Sequence, residues 1–193
     1  TSSDGISWTL KTSGVSSNLY GITYGNNKYI SVGSSGTILT SLNSQNWSSL
    51  TSKGSNLDDI TYGNSNFMII DDSNDDVYIS SDGSSWSTTS VRSNEWNELK
   101  YVNNIFVLVG NSGYIATSSN GSSWSETKNG GNYLDGIGYG NGKYVVGRQE
   151  NYNGFWYSSD AGSWTMTSTT SYRVEGITYA NNIFVAVGGS SSG

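Results

Sequence analysis

Apolar and polar residues alternate with a period of two through short stretches, and no segment sustains a 3.6-residue period, so the chain reads as strands throughout. From Leu19 to Tyr24 the pattern puts Ile22 and Tyr24 on one face and Gly21 and Thr23 on the other. Gly25-Asn26-Asn27 marks a turn, and Tyr29 to Val32 a second strand closed by Gly33. Ser34-Ser35-Gly36 is a second turn and Thr37 to Ser41 a third strand. Asn43 to Asn46 is a third turn, after which Trp47 opens a fourth strand. Four strands of about five residues with loops of about four consume roughly 40 residues.

That unit recurs. Trp8, Trp47, Trp86, Trp124 and Trp164 follow one another at 39, 39, 38 and 40 residues, and Tyr24, Tyr62, Tyr101, Tyr139 and Tyr179 keep nearly the same step. A period near 40 with four strands per unit is the size of one propeller blade. The pattern predicts an all-β, five-bladed propeller with about four antiparallel strands per blade, residues 1–193 forming one domain. An open solenoid would need polar capping repeats, and none is visible. The last unit stops just after its second strand, and Thr1 aligns with the end of a third strand. Trp8 to Lys11 are therefore expected to complete the blade begun by residues 174–188, closing the ring through the two ends of the chain.

The segments Ser2-Ser3-Asp4-Gly5-Ile6-Ser7-Trp8, Ser80-Ser81-Asp82-Gly83-Ser84-Ser85-Trp86 and Ser158-Ser159-Asp160-Ala161-Gly162-Ser163-Trp164 resemble the Asp-box of bacterial-neuraminidase-type propeller repeats. Asn43 and Asn120 replace the aspartate in two units, and the box is one residue shorter than usual. The resemblance spans essentially the whole chain. It implies a turn between the third and fourth strands, on the face opposite the ligand. Physically, Asp or Asn accepts backbone N–H bonds in such a turn, Gly takes the positive φ, and Trp packs between blades. Asp4, Asp82, Asp160 and the periodic tryptophans are thus read as structural. In overall plan the chain is also similar to five-bladed tachylectin-type lectins, without a shared signature.

Composition narrows the chemistry. The 193 residues include 34% hydrophobics, 13% aromatics, 25 Gly and 0 Pro, so glycine must supply most turns with φ above zero. Cys and His are both 0, which removes thiol or histidine nucleophile sets and the usual transition-metal ligands. Net charge is −6, and nine scattered basic residues give no footprint for nucleic acid. No apolar run reaches membrane-spanning length and no signal peptide is present, so no membrane insertion is expected. A chain opening at Thr1 reads as a mature or excised domain, and its hydroxyl-rich, sparsely charged composition suggests an extracellular or cell-surface setting.

Arg92, Arg148 and Arg173 invite comparison with the arginine triad of sialidases, but they occupy non-equivalent positions of their units and the Arg-Ile-Pro signature is absent. Asp58, Asp135 and Glu175 hold one slot, four residues before the periodic tyrosine, where Tyr20 and Asn97 stand in the other units. That slot falls near the mouth of a central channel. Carboxylates there could hydrolyse a glycoside, yet nothing marks one as acid and another as base, so no enzyme and no cofactor are expected. The acidic run Asp71 to Asp76 could offer oxygens to Ca²⁺, but it lacks the glycine and terminal glutamate of an EF-hand loop and reads as a solvated turn.

The loops between strands two and three and between strands four and one should share one face. The second-to-third connection varies most in length and is longest at Arg148 to Gly154. Trp96 fills the apolar slot of Leu19, Leu57, Leu134 and Val174 and reads as core, while Trp156 is ambiguous. Tyr20, Tyr114, Tyr133, Tyr152 and Tyr172 stand where sister units carry polar residues or glycine. With Asp58, Asp135, Arg148, Arg173 and Glu175 they form the candidate ligand set. Aromatics beside polar groups suit sugar stacking and equally suit a protein surface. The expected partner is a glycan or cell-surface polysaccharide, bound by a non-catalytic lectin-like module. The alternative is a protein partner held by an adhesin or assembly scaffold.

Overall fold

A computed structural model describes residues 1–72, 76–89, 91, 95–130, 133–148, 154–167 and 173–189. Strands β1 (Leu19–Gly25), β2 (Lys28–Gly33), β3 (Thr37–Ser41) and β4 (Ser48–Ser49) form the first sheet, blade 1. Blade 2 holds β5 (Leu57–Gly63), β6 (Asn66–Asp71), β7 (Asp76–Ser80) and β8 (Ser87–Thr88). Blade 3 holds β9 (Trp96–Val102), β10 (Ile105–Gly110), β11 (Tyr114–Ser118) and β12 (Ser125–Lys128). Blade 4 holds β13 (Leu134–Gly140), β14 (Lys143–Arg148), β15 (Phe155–Ser158) and β16 (Thr165–Thr167). A terminal hairpin of β17 (Gly176–Ala180) and β18 (Ile183–Val187) follows. Neighbouring strands are antiparallel in all five sheets.

Local chemistry explains the hairpins. Each first-to-second connection has two residues with positive φ: Asn26 and Asn27, Asn64 and Ser65, Asn103 and Asn104, Asn141 and Gly142, Asn181 and Asn182. Two left-handed residues in a row match the right-handed twist of the flanking strands, and Asn tolerates that region best after Gly. Each inner strand of blades 1 to 4 begins with a register shift, at Leu19/Gly21, Leu57/Asp59, Val109/Gly110 and Asp135/Ile137. The extra residue of such a bulge escapes the alternation that buries its neighbours. That is why the slot of Tyr20, Asp58 and Asn97 tolerates such different side chains.

The core lies between blades. Ile30, Val32 and Ile38 of blade 1 pack on Leu57, Ile60, Phe67 and Ile69 of blade 2. Met68, Ile70 and Val77 then pack on Trp96, Leu99, Phe106 and Leu108, and Val107, Val109 and Ile115 on Leu134, Ile137, Tyr144 and Val146. Each periodic tyrosine stands beside the aromatic of its second strand, with centroids 4.6 to 4.8 Å apart. Its ring also lies on the preceding blade. A Cβ added to Gly25 would fall inside the Tyr62 ring, and one on Gly63 inside the Tyr101 ring. Trp86, Trp124 and Trp164 border the same interfaces; Trp96 is core as expected, and Trp156 packs at the edge of the blade 3–blade 4 core.

Ring closure differs from expectation. Among the described residues β17–β18 remains two-stranded and does not pair with residues 8–11. Residues 1–9 instead satisfy themselves: the Thr9 N–H donates to the Thr1 carbonyl at 2.8 Å, and the Thr1 ammonium to the Thr9 carbonyl at 2.7 Å. The hairpin docks on blade 4, with the Val174 N–H bonded to the Arg148 carbonyl at 2.9 Å. The blades thus form an open row.

Candidate functional site

The second-to-third and fourth-to-first loops meet on one face, as expected, and bind each other through backbone. The Ser34 N–H donates to Asn18 at 2.9 Å, Lys53 to Gly36 at 3.1 Å, Asp72 to Asn56 at 3.1 Å, Asn111 to Glu95 at 2.8 Å and Asn129 to Gly113 at 2.8 Å. Among the described residues, each of these bonds ties one loop to another beside a strand end, so the face is braced at those points. On the opposite face lie the turns that lead from third strands to fourth strands. One side-chain oxygen of Asp4, Asn43, Asp82, Asn120 and Asp160 accepts two consecutive N–H groups at 2.7 to 3.0 Å. These bonds hold Asp4, Asp82 and Asp160 at about 2, below the ordinary 3.8. Lys28 donates to the Asp82 carbonyl at 2.7 Å and Asn64 to Ser119 at 2.9 Å, lacing each hairpin turn to the next blade's box.

Among the described residues the candidates differ in exposure and in contacts. Tyr20 is 51% and Tyr133 40% exposed. Tyr114 is half-buried, with the Lys128 ammonium 5.1 Å from its ring centroid. Arg173 and Glu175 form an exposed ion pair at 2.9 Å. Arg148 differs from the expectation of a ligand contact: it is buried, and its Nη1 lies 3.1 Å from the Met166 sulfur. Its place at the end of a core strand, in the slot of Gly33 and Gly110, turns the side chain inward. Tyr152, Tyr172 and Arg92 lie outside the described residues.

Asp58 and Asp135 share a slot but not a site. Burial, then the neighbouring Asp72, raises Asp58, which belongs with its own second-to-third loop. Asp135 instead acts on Asp59 and Glu98. These two, with Lys100, sit on the inner strands. Asp59 reaches the next blade, accepting the Leu99 N–H at 3.1 Å and its neighbour Ile60 N–H at 2.8 Å. Lys100 donates to Glu98 at 3.1 Å, to the Ile137 carbonyl at 2.7 Å and to the Ile177 carbonyl at 3.4 Å. A single ammonium thus touches three inner strands. Burial raises Asp59 to about 6 and Glu98 to about 7, against the pull of two backbone N–H groups on the first and of Lys100 on the second.

Sequence reasoning missed this cluster, although a signal was present. Asp59 and Glu98 stand where three sister units have Gly21, Gly136 and Gly176, and Lys100 replaces Thr23, Thr61 and Thr178. In the acidic run, Asp71 is buried and accepts the Ser55 N–H at 3.1 Å and the Tyr78 hydroxyl at 3.3 Å, a structural role. Ser73, Asn74 and Asp75 lie outside the described residues. Among the described residues no group of three or more carboxylates has metal-binding geometry.

No protein-family model matches the chain, and no curated protein matches it. Solved structures do. Virginiamycin B lyase from Staphylococcus aureus superposes with a TM-score of 0.77 at 14% identity, over 93% of this chain and 66% of that one. YCF48 from Cyanidioschyzon merolae gives 0.65 at 18% identity, over 90% and 62%, and a further YCF48 structure holds a D1 peptide. A chain of the nidogen/laminin complex gives 0.68 at 10% identity, over 89% and 72%. The likeness shows the fold: the chain is a β-propeller protein, built of repeats, and it spans about two thirds or less of the lyase and of YCF48.

Proposed function

We propose that the chain is a non-catalytic recognition module that binds an extended protein segment on the braced loop face. The observation that carries this reading is the platform itself. Its described loop residues are tied backbone to backbone, which lowers the ordering entropy that opposes binding at those points, while Tyr20, Tyr133 and the Arg173–Glu175 pair stay exposed on it. The exposed groups differ from blade to blade, which suits one asymmetric partner. Two neighbours support the reading, since YCF48 is seen with a D1 peptide and nidogen with laminin. The net charge of −6 steers basic partners toward the chain.

Absence of catalysis is part of the proposal. The lyase is described as catalytically inactive when its histidine is replaced by alanine, and this chain has no histidine. The Asp59 oxygens and Glu98 Oε1 are already engaged within the protein. An extracellular or cell-surface setting fits the same reading.

A glycan ligand is the second reading, favoured by the exposed Tyr20 and Tyr133 rings, which could stack on sugars. Selection from a random-peptide display library and a glycan array, both on the purified chain, separate the two. Peptides whose affinity drops tenfold or more in Tyr133→Ala support the first reading. One saccharide class with an empty peptide selection supports the second. Binding of either kind that survives both Tyr20→Ala and Tyr133→Ala removes the loop face from consideration.

A further inference from the structure

The terminal hairpin sits on blade 4 less closely than the blades sit on one another. Ile69, Leu108 and Val146 fill the junctions of blades 1–2, 2–3 and 3–4, and the hairpin carries the smaller Ala186 in their slot. A cavity of about 380 Å³ is left at this junction, lined by Val145, Phe155 and Tyr157 of blade 4 and by Ile177, Phe184 and Ala186 of the hairpin. The apolar grip centres on Val174 and Ile177, each 5% exposed. A Cβ added to Gly138 would stand 2.6 Å from the Ile177 side chain, and one on Gly147 2.4 Å from that of Val174, so both side chains rest on bare backbone. Glycines offer them less apolar surface than the Val, Ile and Leu contacts of the other junctions.

Polar ties therefore weigh more here. The Val174 N–H donates to the Arg148 carbonyl at 2.9 Å, and the Lys100 ammonium donates to the Ile177 carbonyl at 3.4 Å. The same ammonium reaches Glu98 Oε1 at 3.1 Å and the Ile137 carbonyl at 2.7 Å, so its hold on Ile177 is the longest and weakest of the three. Glu98 Oε2 is buried without a hydrogen-bond partner, which costs far less for a neutral carboxyl than for a carboxylate. Three carboxyls act on this cluster: Asp59 from β5, Glu98 from β9 and Asp135 from β13, while β1 and β17 carry no charged residue. Burial raises Asp59 to about 6 and Glu98 to about 7, so both are largely neutral at pH 5 and charged at pH 8. Once they are charged, carboxylates outnumber the one ammonium in a poorly hydrated place, and the cluster has to take up water.

We propose that Lys100, with Asp59 and Glu98, is a pH-sensitive latch that fastens the β17–β18 hairpin to the inner strands while the carboxyls are neutral and releases it when they ionise. The charged carboxylates draw the ammonium toward β5 and β9, and the bond to Ile177 is the first to break. The under-packed junction beside it then opens locally, while the filled junction of blades 1 and 2 stays shut.

Hydrogen exchange of backbone amides on the 193-residue chain, expressed as protection factors so that the intrinsic pH dependence is removed, reads the latch directly. From pH 5 to pH 8, protection in β17 and β18 is expected to fall about tenfold or more beyond any fall in β2 and β6. The double variant Asp59→Asn with Glu98→Gln is expected to lose this extra fall. Lys100→Met is expected to leave the hairpin weakly protected already at pH 5, with β2 and β6 unchanged. Hairpin protection that falls no more than that of β2 and β6 overturns the proposal, because the cluster then acts on the whole fold. An extra fall that persists in the double variant overturns the part given to the carboxyls, and a hairpin fully protected at pH 5 in Lys100→Met overturns the part given to the ammonium. These readouts need no ligand, so they stand apart from the proposed binding function.

Discussion

Ile60 and Ile22 are the same residue type in the same slot of adjacent blades, yet one is 4% and the other 62% exposed. Phe67 and Tyr29 repeat the lesson: the first is fully buried between blades 1 and 2, the second only half-buried at the open end. The pattern of apolar positions records what a blade needs, while burial depends on whether a neighbour supplies it. Substitutions at paired slots should therefore give unequal effects.

The largest contrast is expected at the aromatic slot. Phe67→Ala removes a fully buried ring from the blade 1–blade 2 core and should lower unfolding stability by about 3–5 kcal/mol, whereas Tyr29→Ala should cost clearly less. Ile60→Ala is expected to cost about 2–5 kcal/mol, and Ile22→Ala less than about 0.5 kcal/mol. Urea titrations of the four variants check this. Equal losses at Ile60 and Ile22 would mean that blade 1 is covered within a single chain.

Next in size comes the glycine beneath the tyrosine ring. Gly63→Ala forces a methyl group into Tyr101 and should cost about 1–3 kcal/mol through displacement of that ring. The same change at Gly5 meets open space but keeps a strained positive φ, so its penalty is expected to be smaller, about 1 kcal/mol. Thermal melts of the pair separate crowding between blades from backbone strain in a turn.

Box turns repeat the contrast on a smaller scale. Ser118 is buried, and its Oγ accepts the Gly121 N–H at 2.8 Å, so Ser118→Ala leaves a buried donor unmade and should cost about 1–2 kcal/mol. Ser2 makes the equivalent bond to Gly5 at 2.8 Å in full solvent. Water replaces it there, so Ser2→Ala should move the melting temperature hardly at all. Hydrogen exchange at the two glycine amides is the sharper measurement: the Gly121 amide loses protection and the Gly5 amide has little to lose.

Much of this was legible in the sequence. The Trp and Tyr periods pointed to the strand order and the turns because the repeated residues do the same job in blades 2 to 4, whereas Trp8 and Tyr24 at the open end are 73% and 55% exposed. Trp96 was recognisable as core since it replaces leucine in a repeated slot. Three features were not legible. Arg148 is buried because a strand end turns its side chain inward, which no count of loop lengths shows. The Asp59, Glu98 and Lys100 cluster forms only because inner strands of three blades converge, a long-range fact absent from any one unit. Closure also depends on the angle between blades, which the repeat period does not contain.

The inner cluster and the box turns also differ in how they respond to pH, the smallest effect considered. Burial raises Glu98 from 4.5 to about 7 and Asp59 from 3.8 to about 6. A raised carboxyl binds its proton more tightly folded than unfolded, so its stabilising contribution is complete below the unfolded value and is lost as pH rises through 6 to 7. Asp4, Asp82 and Asp160 behave oppositely: held at about 2, they contribute above the ordinary 3.8 and lose that contribution as pH falls toward 2. Stability should therefore peak near pH 4, fall toward pH 2 on the acid side, and fall from about pH 4 to about pH 7 on the other. Replacing Asp59 with Asn and Glu98 with Gln together should flatten the decline toward pH 8 and leave the acid limb in place, even if the midpoint falls because Asn accepts only one of the two N–H bonds well. Melting temperatures of parent and double variant across this range test the assignment. A parent that gains stability from pH 5 to pH 8 would show that Lys100 neutralises the cluster more fully than burial opposes it.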